Sequence, residues 1–85
     1  MINEIKYKGY TICRWFVVLN ADGEPIEEFW DNKNDAIKFA KYREGCVVKY
    51  AAAEIINDNG DVNPAVYGDT LKEATDKLKK ILDNV

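Results

Sequence analysis

Apolar residues along this chain form two pairs of runs, and a short polar segment containing Asp and Gly interrupts each pair. In chain order the runs and the polar segments are Tyr10–Leu19, Ala21-Asp22-Gly23-Glu24, Ile26–Trp30, Val47–Ile56, Asp58-Asn59-Gly60-Asp61 and Val62–Tyr67. β-Branched and aromatic residues favour strands, and Asp or Asn before Gly favours a tight turn. The pattern therefore predicts two β-hairpins, which superpose at a spacing of 37 residues with Asn20 on Asn57.

Each predicted hairpin is followed by a segment with helical periodicity. The first helix is predicted over Lys33–Glu44, with Asn32 or Asn34 as its N-cap and Gly45 just beyond its C-terminus. Thr70 and Glu73 form a capping box at the start of the second helix. Its apolar stripe consists of Leu71, Ala74, Leu78, Ile81, Leu82 and Val85. Residues 2–7 predict an additional strand before the first hairpin.

This order predicts an α+β fold in which an antiparallel sheet of four to five strands carries two helices on one face. The arrangement is a tandem strand-turn-strand-helix within a single domain, residues 1–85, whose pseudo-repeat halves cover about 10–45 and 46–85. True duplication and recurrent architecture both account for the two halves. Pro25 and Pro64 fall in the return strands, which are therefore predicted to be edge strands or to have their prolines at ends or bulges.

Neither face of the first long strand reads as polar. Alternate residues place Tyr10, Ile12, Arg14, Phe16 and Val18 on one face, and Trp15 and its odd-numbered neighbours on the other. Two explanations are open. The strand is central in a curled sheet and covered on both sides by its own loops, or a second subunit or a partner covers the face opposite the helices.

Residue types exclude most catalytic chemistry. The chain contains no His, Ser or Gln, which removes imidazole catalysis, serine nucleophiles and His-ligated metal sites. Asn57–Asp61 superficially resembles a calcium loop, but Ile55 and Val66 stand where such a loop needs acidic ligands. We therefore expect no enzymatic activity, no metal and no cofactor. Cys13 and Cys46 are interpreted as reduced thiols of a cytoplasmic protein, and no apolar run is long enough to imply a membrane.

Charge is distributed unevenly along the chain. Twelve basic and fifteen acidic residues give a net charge of −3, and the acidic residues concentrate in the two hairpin-to-helix segments. The segment 20–37 has a net charge of −5 and the segment 54–71 a net charge of −4, whereas 38–53 carries +3. An acidic surface beside an aromatic anchor suits a basic protein partner. The predicted partner-binding residues are Asp22, Glu24, Glu27, Glu28, Trp30, Asp31, Asp35, Asp58 and Asp61.

These observations favour a non-enzymatic protein-interaction module, a small acidic inhibitor or adaptor that binds a basic surface of a partner protein. In size and acidity the chain resembles anti-restriction and anti-CRISPR proteins. That resemblance implies a phage- or mobile-element-encoded blocker of a host nucleic-acid enzyme. The net negative charge disfavours direct nucleic-acid binding.

Two alternatives remain from the sequence. One is a single-stranded nucleic-acid-binding sheet that would use the strand aromatics and the few cations near them. Its candidate residues are Tyr10, Trp15, Phe16, Tyr50, Lys6, Lys8, Arg14 and Lys49. The other is a structural homodimer closed through the second apolar sheet face or through an exposed edge strand.

Overall fold

A computed structural model describes residues 3–30 and 32–84 and shows five strands and two helices. The strands are β1 (Asn3–Tyr7), β2 (Tyr10–Leu19), β3 (Pro25–Trp30), β4 (Val47–Glu54) and β5 (Val66–Gly68), and the helices are α1 (Lys33–Lys41) and α2 (Leu71–Asp83). The predicted α+β class and element order are confirmed. Val85 and Asp31 lie outside the described residues.

The ten-residue strand β2 organises the sheet. One of its edges pairs with β4 from Ile12 to Leu19. Two strands share the other edge of β2, one after the other: β1 pairs with Tyr10–Arg14, and β3 pairs with Phe16–Leu19. β5 continues the sheet on the far side of β4, and every pairing is antiparallel, as expected. With ten residues, β2 is long enough to hold both outer strands.

Both helices lie on the same face of the sheet, as predicted. α2 buries Ala74, Leu78 and Leu82 against Ile12 and Ala52. α1 buries Ala36, and from its first residue Lys33 Nζ donates to the hydroxyl of Tyr50 at 3.3 Å. Tyr50 lies on the same face of β4 as Ala52, since alternate residues of a strand share a face.

The opposite face of the sheet is covered by the chain itself. Cys13, Trp15, Val17 and Leu19 cluster there with Ala51 and Ala53, and part of the connection between β4 and β5 packs on them. Trp15 is only 7% exposed and Val17 only 1%. The first of the two explanations for the apolar strand is therefore correct, and this face does not need a second subunit to cover it.

The two hairpin turns share one construction. Asn20 Oδ1 accepts hydrogen bonds from the backbone N–H groups two and four residues ahead, at 2.9 and 3.0 Å. Asn57 Oδ1 makes the equivalent bonds at 3.0 and 3.2 Å. Gly23 and Gly60 adopt φ values of 81° and 85°, where a side chain would be strained. The spacing of 37 read from the sequence therefore corresponds to two turns of the same hydrogen-bonded form.

The helix starts also correspond, at a spacing one residue longer. Asn32 is the N-cap of α1, so the alternative position Asn34 is not the cap; its N–H donates to Asn32 Oδ1 at 2.8 Å. Thr70 caps α2 by accepting from the N–H of Glu73 at 3.0 Å. The Glu73 carboxylate lies 3.3 Å from Lys77 Nζ, in an ion pair along the helix.

Two element boundaries differ from prediction. α1 ends at Lys41 and not at Glu44, because the chain leaves the helix early to bring Gly45 beside Ala21. A Cβ on Gly45 would lie 3.0 Å from the Cβ of Ala21. The return strand predicted from Val62 is also shorter, since β5 begins only at Val66. Pro64 cannot donate a ladder hydrogen bond, and before it only an isolated bridge joins Val62 to Ile55.

The turn between β1 and β2 is tied to the C-terminal end of α2. The Tyr7 hydroxyl donates to both carboxylate oxygens of Asp83 at 2.9 and 3.0 Å, and Lys8 Nζ lies 2.9 Å from Asp83 Oδ1. The hydrogen bonds from Lys8 and from Tyr7 lower the pKa of the Asp83 carboxyl below its ordinary value. This contact joins the first strand to the last helix.

Acidification is expected to weaken that contact. Because the pKa of Asp83 is lower in the folded chain than in the unfolded chain, its contribution to stability is present above the unfolded pKa and is lost as pH falls through the folded pKa. Asp83→Asn should therefore flatten the acid limb of the stability curve, measured by urea unfolding from neutral pH to about pH 2. Asp58→Asn, which removes a carboxylate outside the contact, is the control. An acid limb unchanged by Asp83→Asn would show that the contact adds nothing to stability.

Candidate interaction surface

Four of the acidic residues predicted to form the binding surface, Asp22, Glu24, Asp58 and Asp61, lie at two ends of the molecule. Leu19 pairs with Val47 at one end of the β2–β4 ladder, and Ile12 pairs with Glu54 at the other. The turn with Asp22 and Glu24 follows Leu19, and the turn with Asp58 and Asp61 follows Glu54, so the two turns project in opposite directions. Strand geometry separates the two ladder ends by roughly 24 Å. A single partner surface of small size would therefore meet only one turn.

The turn at the β2–β3 connection gains a third carboxylate from a distant part of the chain. The connection between α1 and β4 packs against this turn through Gly45 and Ala21. The contact brings the exposed Glu44 to the same end as the exposed Asp22 and Glu24. We call these three residues, Asp22, Glu24 and Glu44, the acidic end. The sequence pattern did not indicate Glu44 because it lies within a segment of net positive charge; the signal that could have found it was Gly45, the tight-turn residue beside it.

Ion pairing separates the acidic end from the acidic residues of α2 and its flank. Four carboxylates there are bound by lysines of the same chain: Asp69 by Lys49, Asp76 by Lys72, Glu73 by Lys77 and Asp83 by Lys8. Hydrogen bonds from these lysines lower the pKa values of the Asp69 and Asp76 carboxyls. Between described residues, no ion pair involves a member of the acidic end. Its negative charge is therefore left available to a partner.

The acidic end is held in a defined conformation. Besides the side-chain bonds of Asn20, the N–H of Asn20 donates to the carbonyl of Glu24 at 2.8 Å, and the N–H of Gly23 donates to the carbonyl of Asn20 at 2.9 Å. A turn closed by four hydrogen bonds loses little conformational freedom when it binds. Asp22 and Glu24 are thus presented on a preorganised support.

Exposed apolar side chains accompany these carboxylates. Tyr42 follows α1 and is 81% exposed, while Ile26 and Val47, near the starts of β3 and β4, are exposed by more than a third. Tyr42 provides the exposed aromatic ring that the sequence pattern placed at Trp30. Trp30 itself is only partly exposed, and its ring centroid lies 5.1 Å from that of Phe39. Trp30 therefore holds α1 against the sheet.

The other predicted site residues that the structure describes fall outside the acidic end. Asp35 is exposed in the first turn of α1, where a carboxylate complements the helix dipole. Asp61 accepts a hydrogen bond from Asn57 Nδ2 at 2.7 Å within the opposite turn, which also carries the exposed Asp58. The side chains of Glu27 and Glu28 and the whole of Asp31 lie outside the described part of the structure.

The aromatic residues proposed for nucleic-acid stacking do not form an open platform. Trp15 is buried beneath the β4–β5 connection. On the face that carries the helices, the ring centroids of Phe16 and Tyr50 lie 5.1 Å apart. Tyr10 packs against the α2 cluster on that same face. Two of the cations assigned to this alternative, Lys8 and Lys49, are engaged by Asp83 and Asp69. This geometry favours a packing role for the strand aromatics.

Nucleophile and metal chemistry find no support in the described residues. Cys13 is buried, and its burial raises the pKa of the thiol, which disfavours the reactive thiolate. Cys13 pairs with Ala53 near one end of the ladder, whereas Cys46 precedes β4 at the other end, so the two thiols stand apart. Among the side chains that the structure describes, no group of three or more Cys, Asp or Glu comes together as a metal site.

Neither helix in the described part of the chain has both the length and the apolar character needed to cross a membrane. Comparisons with protein-family models, with curated proteins and with solved structures found no significant match to this chain. Its function therefore has to be inferred from its own residues, and the acidic end combines three exposed carboxylates with the exposed ring of Tyr42 nearby in the chain.

Proposed function

We propose that this protein is a non-enzymatic interaction module whose acidic end binds a basic surface of a partner protein. The observation that carries the proposal is the contrast in ion pairing between described residues: lysines neutralise the carboxylates of α2 and its flank, but not those of the acidic end. Charges on preorganised turns steer encounter with a partner of opposite sign and determine its orientation.

Affinity in such a complex comes mainly from apolar and aromatic contacts. Tyr42, with its exposed ring, and the exposed Val47 lie beside the acidic end and supply that contact. The carboxylates then form the charged rim and Tyr42 the anchor. The predicted residues Asp22 and Glu24 keep their role in this proposal, and Tyr42 replaces Trp30 as the anchor.

A nucleic-acid enzyme is the class of partner that this surface fits best. Enzymes that hold phosphate backbones present dense lysine and arginine clefts, and a rigid acidic turn can occupy such a cleft in place of phosphates. The protein would then act as an inhibitor that blocks substrate access. Its small size and net charge of −3 agree with the resemblance to anti-restriction and anti-CRISPR proteins.

The test compares charge reversal at the two ends of the molecule. A tagged chain captures its partner from nuclease-treated lysate of the source organism, and the affinity is measured by biolayer interferometry. The triple variant Asp22→Lys, Glu24→Lys, Glu44→Lys should weaken binding by roughly 10- to 100-fold, and the wild-type affinity should fall as salt is added.

The control is Asp58→Lys with Asp61→Lys, which reverses two carboxylates on the similar turn at the other end. It should bind almost as tightly as the wild-type chain, and all three proteins should have similar melting temperatures. If the triple variant binds the partner like the wild-type chain, or only the control variant loses binding, the acidic end is not the binding surface. A parallel capture from untreated lysate that retains nucleic acid alone, and loses it after nuclease treatment, would also contradict the proposal.

A further inference from the structure

The outer edge of β4 is open along its first residues. β5 pairs only with Tyr50–Ala52, and after Gly68 the chain turns away into α2. Val47–Lys49 therefore have β2 on one side and, within the described part of the chain, no strand on the other. Alternate residues of an antiparallel strand direct their N–H and C=O groups to opposite sides. This segment consequently presents unpaired backbone groups to an incoming chain.

The outer edges of β1 and β3 carry features that discourage strand addition, and β5 offers an edge of only three residues. β3 starts at Pro25, and its register with β2 shifts twice. β1 carries the exposed charges of Glu4 and Lys6. Proline, irregular register and charged side chains are the usual protections of edge strands. Lys49, the last residue of the open segment, is charged and is bound by Asp69. Val47 and Val48 have none of these protections, so this part of the β4 edge is the one suited to pairing.

A groove runs beside this edge along the flank of α1. It has a volume of about 440 Å³ and is lined by the apolar residues Ile37, Ala40, Val47 and Val48 together with Cys46, Lys33 and Lys41. Ile37 is 44% exposed and Val47 47% exposed. We call this set of lining residues the edge groove. Exposed apolar side chains beside open backbone groups are what an added strand would bury.

The charges of the edge groove indicate the chemistry of its occupant. Lys33 Nζ donates to the Tyr50 hydroxyl, and Lys41 Nζ lies 6.0 Å from the centre of the Tyr42 ring. No carboxylate pairs with either lysine among the described residues. Lys33, Ile37 and Lys41 follow one another at intervals of four residues, which places them in one row along α1, about 6 Å apart. The row is therefore cationic at both ends and apolar in the middle.

We propose that the edge groove binds an extended segment of a partner protein with the pattern acidic–x–apolar–x–acidic, which adds as a strand to the edge of β4. Alternate side chains of a strand lie about 6.7 Å apart on one face, close to the spacing of the helix row. The two acidic side chains of the segment would then meet Lys33 and Lys41, and the apolar side chain would meet Ile37. This surface shares Val47 with the apolar contact proposed beside the acidic end, but it contains none of the three carboxylates and is opposite in sign, so the inference goes beyond the proposed function.

The experiment is an NMR titration of the full-length ¹⁵N-labelled chain with the capped peptide Glu-Thr-Val-Thr-Glu. Addition to β4 should shift the amide signals of Val47–Lys49 and of the α1 flank at low-millimolar peptide. The peptide Lys-Thr-Val-Thr-Lys should leave these signals in place. A version of the first peptide with methylated backbone nitrogens should also fail, because strand addition needs its N–H groups whereas docking of side chains alone does not.

Two charge variants separate this proposal from the acidic end. Lys33→Glu with Lys41→Glu should weaken peptide binding at least tenfold, while Lys72→Glu with Lys80→Glu on α2 should leave it unchanged. The triple variant of the acidic end should still bind the peptide. The proposal is overturned if the acidic peptide produces no shifts, if the methylated peptide binds equally well, or if the Lys33/Lys41 variant binds like the wild-type chain. Self-association of the protein that this variant abolishes would assign the groove to a second copy and overturn it as well.

Discussion

Gly68→Ala is expected to destabilise the fold by about 2–4 kcal/mol, because overpacking against backbone cannot be relieved by rotating a side chain. Gly68 is the last residue of β5 and is buried under the start of α2. A Cβ at this position would lie 2.6 Å from the backbone nitrogen of Ala74 and 3.0 Å from the Cβ of Glu73. The first turn of α2 would have to move away from the sheet. Urea unfolding followed by far-UV circular dichroism measures the loss.

Gly23→Ala is the matched control for that change. Apart from its neighbours in the chain, no atom lies within 4 Å of the point that a Cβ on Gly23 would occupy, but its φ of 81° strains any residue with a side chain. Its cost should therefore be only about 1 kcal/mol, from backbone conformation alone. If the two variants unfold at the same urea concentration, the close approach of α2 to Gly68 does not determine the stability of this region.

Ile12→Ala is expected to cost about 2–5 kcal/mol, the range for removing a large aliphatic side chain from a packed core. Ile12 is fully buried between β2 and α2, where it contacts the cluster formed with Ala52 and Leu78. A domain of this length has a total stability of roughly 4–13 kcal/mol, so the variant could lose half of it. Thermal unfolding monitored by circular dichroism gives the change in melting temperature.

Two further substitutions test whether the Ile12 cost arises from burial. Ile12→Val should cost about 0.5–1.5 kcal/mol, because it removes a single methylene from the same site. Ile56→Ala should change stability by less than about 0.5 kcal/mol, since this side chain is half exposed after β4. Equal losses for Ile12→Ala and Ile56→Ala would contradict the position of the core between β2 and α2.

Local chemistry was sufficient to predict most of the fold. The Asp-Gly and Asn-Gly segments marked both hairpin turns, and Thr70 marked the start of α2, because turns and caps depend on a few neighbouring residues. The end of α1 was predicted incorrectly, since the position of Gly45 is determined by its contact with Ala21 and not by the helix before it. Sequence order likewise did not show that the β4–β5 connection would cover Trp15.

The candidate surface was less predictable because it depends on which strands pair. Asp22 and Asp58 have similar sequence surroundings, but the antiparallel pairing of β2 with β4 sends their turns to opposite ends. Glu44 joins Asp22 through a tertiary contact that no local pattern encodes. Trp30 was predicted as a binding anchor because it is an aromatic residue beside acidic ones. Its contact with Phe39 depends on the packing of α1 against the sheet, which the sequence pattern does not show.

The pairing of β2 with β4 also has a consequence for how the protein folds. Each half of the chain supplies one of the two central strands, so neither half can complete the sheet or cover its helix alone. Contacts such as Ile12 with Glu54 join residues far apart in sequence, and the entropy of closing that loop must be overcome before the core forms. Folding should therefore be a single cooperative transition with a late, non-local nucleus. A chain cut near Gly45 would regain structure only when both fragments meet.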